Sequence, residues 1–147
     1  MRITSFTDYS FRVLIHTAIR HPQRVTIDEV ANSFGISRNH LVKVIHGLSQ
    51  AGFLATQRGR NGGFVLAKPA ERIRVGDVVR FGEDGQPLVE CFDSITNTCA
   101  ITPVCKLKFM LSEAQSAFYA VLDRYTIADI CAKPEPLLRR LGLSVTA

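Results

Sequence analysis

Three of the chain's four cysteines fall within one short stretch, CFDSITNTCAITPVC, spaced as Cys91-x7-Cys99-x5-Cys105. Each chemistry open to clustered thiols can be tested against those intervals. Structural zinc takes four ligands, usually in close pairs such as Cys-x2-Cys, and neither interval supplies such a pair. A catalytic thiol needs one activated sulfur beside a base, yet this loop has three thiols and no histidine. An iron–sulfur cluster is held by thiolates whose spacing varies with the wrap of the loop, and soft sulfur donors favour that class of metal centre. A [4Fe-4S] or [2Fe-2S] cluster is therefore the group these residues fit best. Three thiolates leave one position for another donor: Asp8, His16, His40, His46 or a small thiol from solution. Cys131 stands apart from the loop and is expected to be a core residue.

These thiols have to be positioned by something. With 147 residues and 46% hydrophobic content, the chain can bury a core of ordinary size. No segment approaches the ~18 uninterrupted apolar residues of a membrane span, and MRITSFTDYS does not read as a leader peptide, so a cytoplasmic protein without membrane contact is expected. Cysteines in a reducing compartment serve as ligands or reactive thiols more often than as disulfides.

Charge is shared unevenly. Residues 1–80 hold twelve Lys/Arg against five Asp/Glu, and residues 81–147 hold six against eight. A basic first half points to a polyanionic partner. There SFTDYSFRVLIHTAIR reads as a helix capped by Ser5 or Thr7 and closed by His21-Pro22. TIDEVANSFG follows with a capping box, Thr26 with Glu29, and ends at Gly35. SRNHLVKVIHGLSQAG starts on Ser37 with Leu41, Val44, Ile45 and Leu48 on one face. Two short capped helices joined by a glycine turn form a helix-turn-helix. The short runs Leu54 to Gln57 and Phe64 to Leu66 then flank RGRNGG, whose Asn-Gly step is a hairpin signal. A hairpin in that place is a wing.

A recognition helix reads base edges with its N-terminal turn, here Ser37, Arg38, Asn39 and His40. Arg can donate twice to guanine and Asn can pair with adenine. Lys43 is placed for phosphate, and Arg58 and Arg60 flank a wing tip small enough to approach a groove. His46, beside the apolar Ile45, is expected to be structural. Beyond the cysteine loop, Leu107, Met110, Leu111, Ala114, Phe118, Val121, Leu122 and Tyr125 recur at three- and four-residue steps. That is a long amphipathic helix whose apolar stripe suits a partner helix across a two-fold axis. The fold expected is mostly α with a small β-hairpin: a winged helix-turn-helix plus a long dimerisation helix. It divides into a DNA-binding region over 1–80, a cluster-binding loop over 81–105, and the dimerisation helix with its tail over 106–147.

Four segments, SFTDYSFRVLI, SRNHLVKVIHGLSQAGF, RGRNGGFVLAKP and CAITPVCKLK, together resemble the winged-helix transcriptional regulators that carry iron–sulfur clusters, and most of all the nitric-oxide-sensing repressors among them. The resemblance runs from about residue 1 to residue 130. It implies a homodimeric repressor on double-stranded operator DNA, with nitric oxide as the signal that releases it. It maps the cluster ligands onto Cys91, Cys99 and Cys105, and it makes Asp8 of the partner subunit the candidate fourth ligand. The family's iron–sulfur-supply sensors have a histidine where Lys108 stands here, and an ammonium cannot ligate iron. The long first gap resembles that of the family's iron-responsive repressors, so response to iron supply is the alternative signal. A metal-free thiol switch is a further alternative. An enzyme with Cys99 as nucleophile lacks a base and leaves the basic half unexplained.

Overall fold

A computed structural model describes residues 2–59 and 62–144. Helix α1 spans Ser5–Ile19, α2 Ile27–Phe34 and α3 Arg38–Gln50; strands β1 Leu54–Gln57 and β2 Gly63–Leu66 follow, then α4 Val75–Gly82, α5 Lys106–Leu122, α6 Ile127–Ile130 and α7 Pro134–Arg140.

The start of α1 differs from expectation. Its cap is Thr4, whose hydroxyl oxygen accepts from the Thr7 N–H at 3.2 Å. The reason is tertiary: the same hydroxyl donates to Glu83 Oε1 at 3.0 Å, which anchors the helix start to the end of α4. The capping box at Thr26 and Glu29 forms as expected, with the Thr26 N–H donating to Glu29 Oε2 at 2.6 Å. Gly35 ends α2 at φ +64°, a left-handed turn that glycine adopts without strain. This turn sets the angle between α2 and α3, and Ser37 caps α3 through the His40 N–H.

Strands β1 and β2 pair antiparallel, with Leu54 opposite Leu66 and Gln57 opposite Gly63. The segment before α2 joins them: Val25 and Phe64 exchange backbone hydrogen bonds of 3.0 and 2.9 Å. A side chain at Gly63 would collide with the Val25 carbonyl, so the wing's root requires glycine there.

Val13, Leu14, Val30, Leu41 and Leu48 are completely buried where the first three helices meet. Each such side chain contributes about 1.5–3 kcal/mol relative to exposure. The core extends to Phe64 of the wing, to Ile73 and Val78 around α4, and to Ile127 of α6. The chain returns to this body after α5: the Val75 N–H donates to the Tyr125 carbonyl and the Ile127 N–H to that of Ile73, both at 2.9 Å. This pairing explains why α5 ends at Leu122 instead of running on to Tyr125.

No residue of α5 is buried. One side leans on α4, where Arg80 donates to both carboxylate oxygens of Asp123 at 2.7 and 2.6 Å and lies 4.6 Å over the Tyr119 ring. Leu107 and Met110, by contrast, are 59% and 62% exposed, and Phe109 and Val121 are exposed too. The expected apolar stripe is thus split between the chain's own body and open surface. Among the described residues no helix is long and apolar enough to cross a membrane.

Candidate functional site

Two regions hold the candidate residues. The first is the surface formed by α3 and the wing. Burial of Leu41, Val44, Ile45 and Leu48 fixes one side of α3 against the core. Arg38, Asn39, His40, Val42, Lys43 and His46 consequently share the exposed side. His46 is therefore a surface residue and not the structural one expected, because Val44 and Ile45 take the buried positions on that turn. Val42 is an apolar side chain among polar neighbours, which the sequence did not single out; it suits contact with a thymine methyl group. Its signal was its place one residue outside the buried face. Ser37 is exposed but engaged as the helix cap. Arg58 is exposed beside the wing tip, whereas Arg60 and the Asn61 of the Asn-Gly step lie outside the described residues.

Arg38 is held by an ion pair to Asp28 in the first turn of α2. Both line a cleft of about 380 Å³ between the helix-turn-helix and the wing, with Ile45, Thr56 and Gln57.

The second region is the cysteine loop. Cys91 sits in the 3-10 turn Glu90–Phe92, Cys99 is exposed between turns, and Cys105 directly precedes α5 after a second 3-10 turn, Thr102–Val104. All three are free thiols. The sequence showed no periodicity here because side chains, not a backbone ladder, organise the loop. Glu90 Oε1 accepts from the N–H of Thr98 and from its hydroxyl at 2.7 Å, drawing together the neighbours of Cys91 and Cys99. Asp93 accepts from the Ile95 N–H at 2.9 Å and the Thr96 hydroxyl at 2.7 Å. Asn97 Oδ1 takes the Cys99 N–H at 3.1 Å, and Asn97 Nδ2 donates to the Thr102 hydroxyl at 3.2 Å. These bonds to the charged form hold both carboxyls below their usual range, through the Thr98 backbone N–H for Glu90 and the Thr96 hydroxyl for Asp93. Around the thiols the loop is apolar and open, with Ile95 91% and Val104 80% exposed.

Among the described residues, no three His, Cys, Asp or Glu side chains stand close enough to hold a metal ion. The three thiols share a loop but are not gathered into one ligand set within a single chain. As a donor set they fit soft-metal chemistry, and a group needing four donors would have to take the fourth from elsewhere.

Of the candidates for that donor, His16 is ruled out by position. It is completely buried between α1 and α2, with Nε2 3.2 Å from Ser33 Oγ and its ring edge-on to Phe34. Desolvation lowers its pKa despite the nearby Glu29 carboxylate. His40 and His46 belong to the exposed side of α3. Asp8 is half-buried in the first turn of α1 and accepts from Arg12 Nη2 at 2.7 Å. The Arg12 guanidinium lies 5.7 Å over the Tyr9 ring and 5.8 Å over Phe34. Tyr9 in turn stacks against His40, with centroids 6.2 Å apart. A continuous set of contacts therefore links Asp8 to the first turn of α3. Cys131 packs against the core, and burial pushes its thiol up to about 11, which leaves little thiolate to act as nucleophile at neutral pH.

Comparison with known proteins bears on both regions. A family model, Rrf2, described as an iron-dependent transcriptional regulator, matches residues 3–133. The HTH-type transcriptional regulator NsrR of Bacillus subtilis is 46% identical over 144 residues, covering 97% of this chain and 99% of that one. The regulator of the same name from Shouchella clausii is 43% identical over 147 residues, covering 99% of both. The solved structure of T. potens IscR superposes with a TM-score of 0.73 at 22% identity over 93% of this chain and 90% of its own, a likeness of fold.

Proposed function

Since the chain belongs to the Rrf2 family of transcriptional regulators, we propose that it is a cytoplasmic, homodimeric repressor whose grip on operator DNA depends on an iron–sulfur cluster and is released by nitric oxide. The observation that carries this reading is the placement of three free thiols in a tied loop directly before a helix with an uncovered apolar face. The division into a DNA-binding region, a cluster loop and a dimerisation helix goes with it.

Ser37, Arg38, Asn39, His40 and Lys43 of α3 would meet the major groove, with Lys43 on phosphate. Arg58 and Arg60 of the wing would meet the adjacent backbone or minor groove. Cys91, Cys99 and Cys105 would hold the cluster, and Asp8 of the partner subunit would supply the fourth ligand. When bound, the cluster supplies iron that nitric oxide can attack.

The chain's own residues do the rest. Two recognition helices reach successive half-sites, about 34 Å or a multiple apart, only if their separation and tilt are right. Leu107, Met110 and Val121 of α5, facing the same stripe of a second copy, set the separation. Asp8 sets the tilt through its neighbours. While it pairs with Arg12, the guanidinium braces Tyr9 and Phe34; when Asp8 is drawn away, the Tyr9–His40 contact loses that brace. Ligation of Asp8 would take it from Arg12 and so favour a different posture of α3, and a signal would act by shifting populations between the two.

Asp8→Ala tests this. It is expected to shorten the lifetime of the visible chromophore in anaerobic protein and to uncouple that lifetime from DNA affinity, without lowering the melting temperature of the metal-free chain by more than a degree or two. A variant matching the wild type in both lifetime and DNA release would remove Asp8 from the mechanism. Release by an iron chelator but not by nitric oxide would assign the signal to iron supply.

A further inference from the structure

Asp28 stands where a carboxylate works against DNA binding. It is an exposed carboxylate on the face that would approach phosphates, in a half of the chain dominated by cations. Asp28 and Glu29 both stand in the first turn of α2, where acidic residues suit the helix dipole, but only Glu29 takes part in the capping box. On the DNA side Asp28 costs affinity by repulsion. Its contact is with Arg38, the first residue of α3, across the helix-turn-helix turn.

We propose that Asp28 is a specificity-determining residue of the DNA-reading surface: it holds the Arg38 guanidinium off the phosphates and presents its free edge to a guanine in the major groove. The inference rests on α3 being the recognition helix. A mobile arginine at a protein–DNA surface is drawn to the nearest phosphate, a contact that carries no sequence information. Arg38 donates to Asp28 Oδ1 through Nη1, which leaves Nη2 and Nε free. Those two N–H groups form the second edge of the guanidinium fork, matched to guanine O6 and N7. Arg38 and Asp28 both line the cleft that Thr56, Gln57 and Gly63 of the wing also line, and more than half of the Arg38 side chain is exposed. Asp28 therefore lowers attraction to any DNA and raises the share of Arg38's bonding directed at a base.

Anaerobically prepared full-length protein would be used to select sites from a pool of duplexes randomised over 30 or so base pairs, comparing wild type with Asp28→Asn, Arg38→Ala, the double variant and Lys43→Ala. Asp28→Asn and Arg38→Ala are expected to lose guanine preference at the same position of each half-site, by roughly tenfold. The double variant should be no less selective there than Arg38→Ala alone. Asp28→Asn should bind random-sequence duplex more tightly than wild type, with a slope of log affinity against log salt steeper by about 0.9 for each subunit bound. Retention of the guanine preference within twofold in Asp28→Asn, or its loss at a position other than that lost in Arg38→Ala, would overturn the proposal while leaving DNA reading by α3 intact. Lys43→Ala binding the pool as wild type does would remove DNA reading by α3, and this inference with it. Matching thermal melts for wild type and Asp28→Asn would show that the readout does not come from unfolding.

Discussion

His16 shows how far residue type alone can mislead about chemistry. As a histidine near the N-terminus it was a candidate iron donor, yet it is buried with Ser33 and Phe34 and cannot reach an iron at the surface. Its position was not legible because α1 buries Ser10, Val13, Leu14, His16 and Thr17, covering more than one face. A buried side that mixes apolar with polar residues gives no clean period to say which side a further polar residue takes. The grouping of three thiols in one loop was legible, as was the loop's lack of a histidine that could serve a nucleophile as base. Burial gives His16 a pH signature. An imidazole in the unfolded chain takes up a proton near about pH 6.5, whereas the native one resists until lower pH because desolvation disfavours its charge. Folding stability is therefore intact above about 6.5 and falls as pH drops through that value towards the depressed native one. Thermal melts between pH 7.5 and 5.5 should show this loss in the wild type and a flatter profile in His16→Gln. Equal slopes for the two would mean that His16 is not the group responsible.

At the scale of elements, helix starts were legible where the cap is local and illegible where it is not. Thr26 with Glu29 and Ser37 with His40 are three residues apart, within reach of a motif. The true cap of α1, Thr4, is chosen by Glu83, 79 residues away. That joint is a knot of hydroxyls: Thr4 and Thr7 both donate to Glu83 Oε1. Burial alone would raise the Glu83 pKa, but hydrogen bonds from Thr7 and Thr4 outweigh it and lower it. Gly82 permits the close approach, because a methyl group there would land on the Thr7 hydroxyl. Gly82→Ala should therefore separate α4 from α1 and cost about 1–3 kcal/mol, the usual range for overpacking, measured as a lowered urea midpoint. A midpoint equal to wild type would show that the joint has slack. The wing was legible as a hairpin, with its strands placed to within one residue, but its third partner was not. Val25 joins by two backbone bonds that leave no mark in side-chain pattern.

For the whole molecule, the uneven charge and the stripe on α5 were both visible in the sequence. What the sequence could not show was how the stripe divides, because Arg80 and Asp123 dock only one side of α5 on the chain's own body. Met110→Glu places a charge on the open side, and sedimentation at micromolar concentration should find dimer for the wild type and monomer for the variant. A dimer surviving that change would place the two-fold contact elsewhere. The central claim is that iron held by Cys91, Cys99 and Cys105 governs affinity for DNA, and one titration reaches it directly. Protein purified without oxygen, assayed for iron and acid-labile sulfide, would be bound to a duplex taken from site selection and followed by fluorescence anisotropy as nitric oxide is added. Affinity should fall at least tenfold in step with the loss of visible absorption, and a Cys99→Ser variant should lack both the colour and the response. Iron-free protein that holds and releases the same duplex as the wild type does would contradict it.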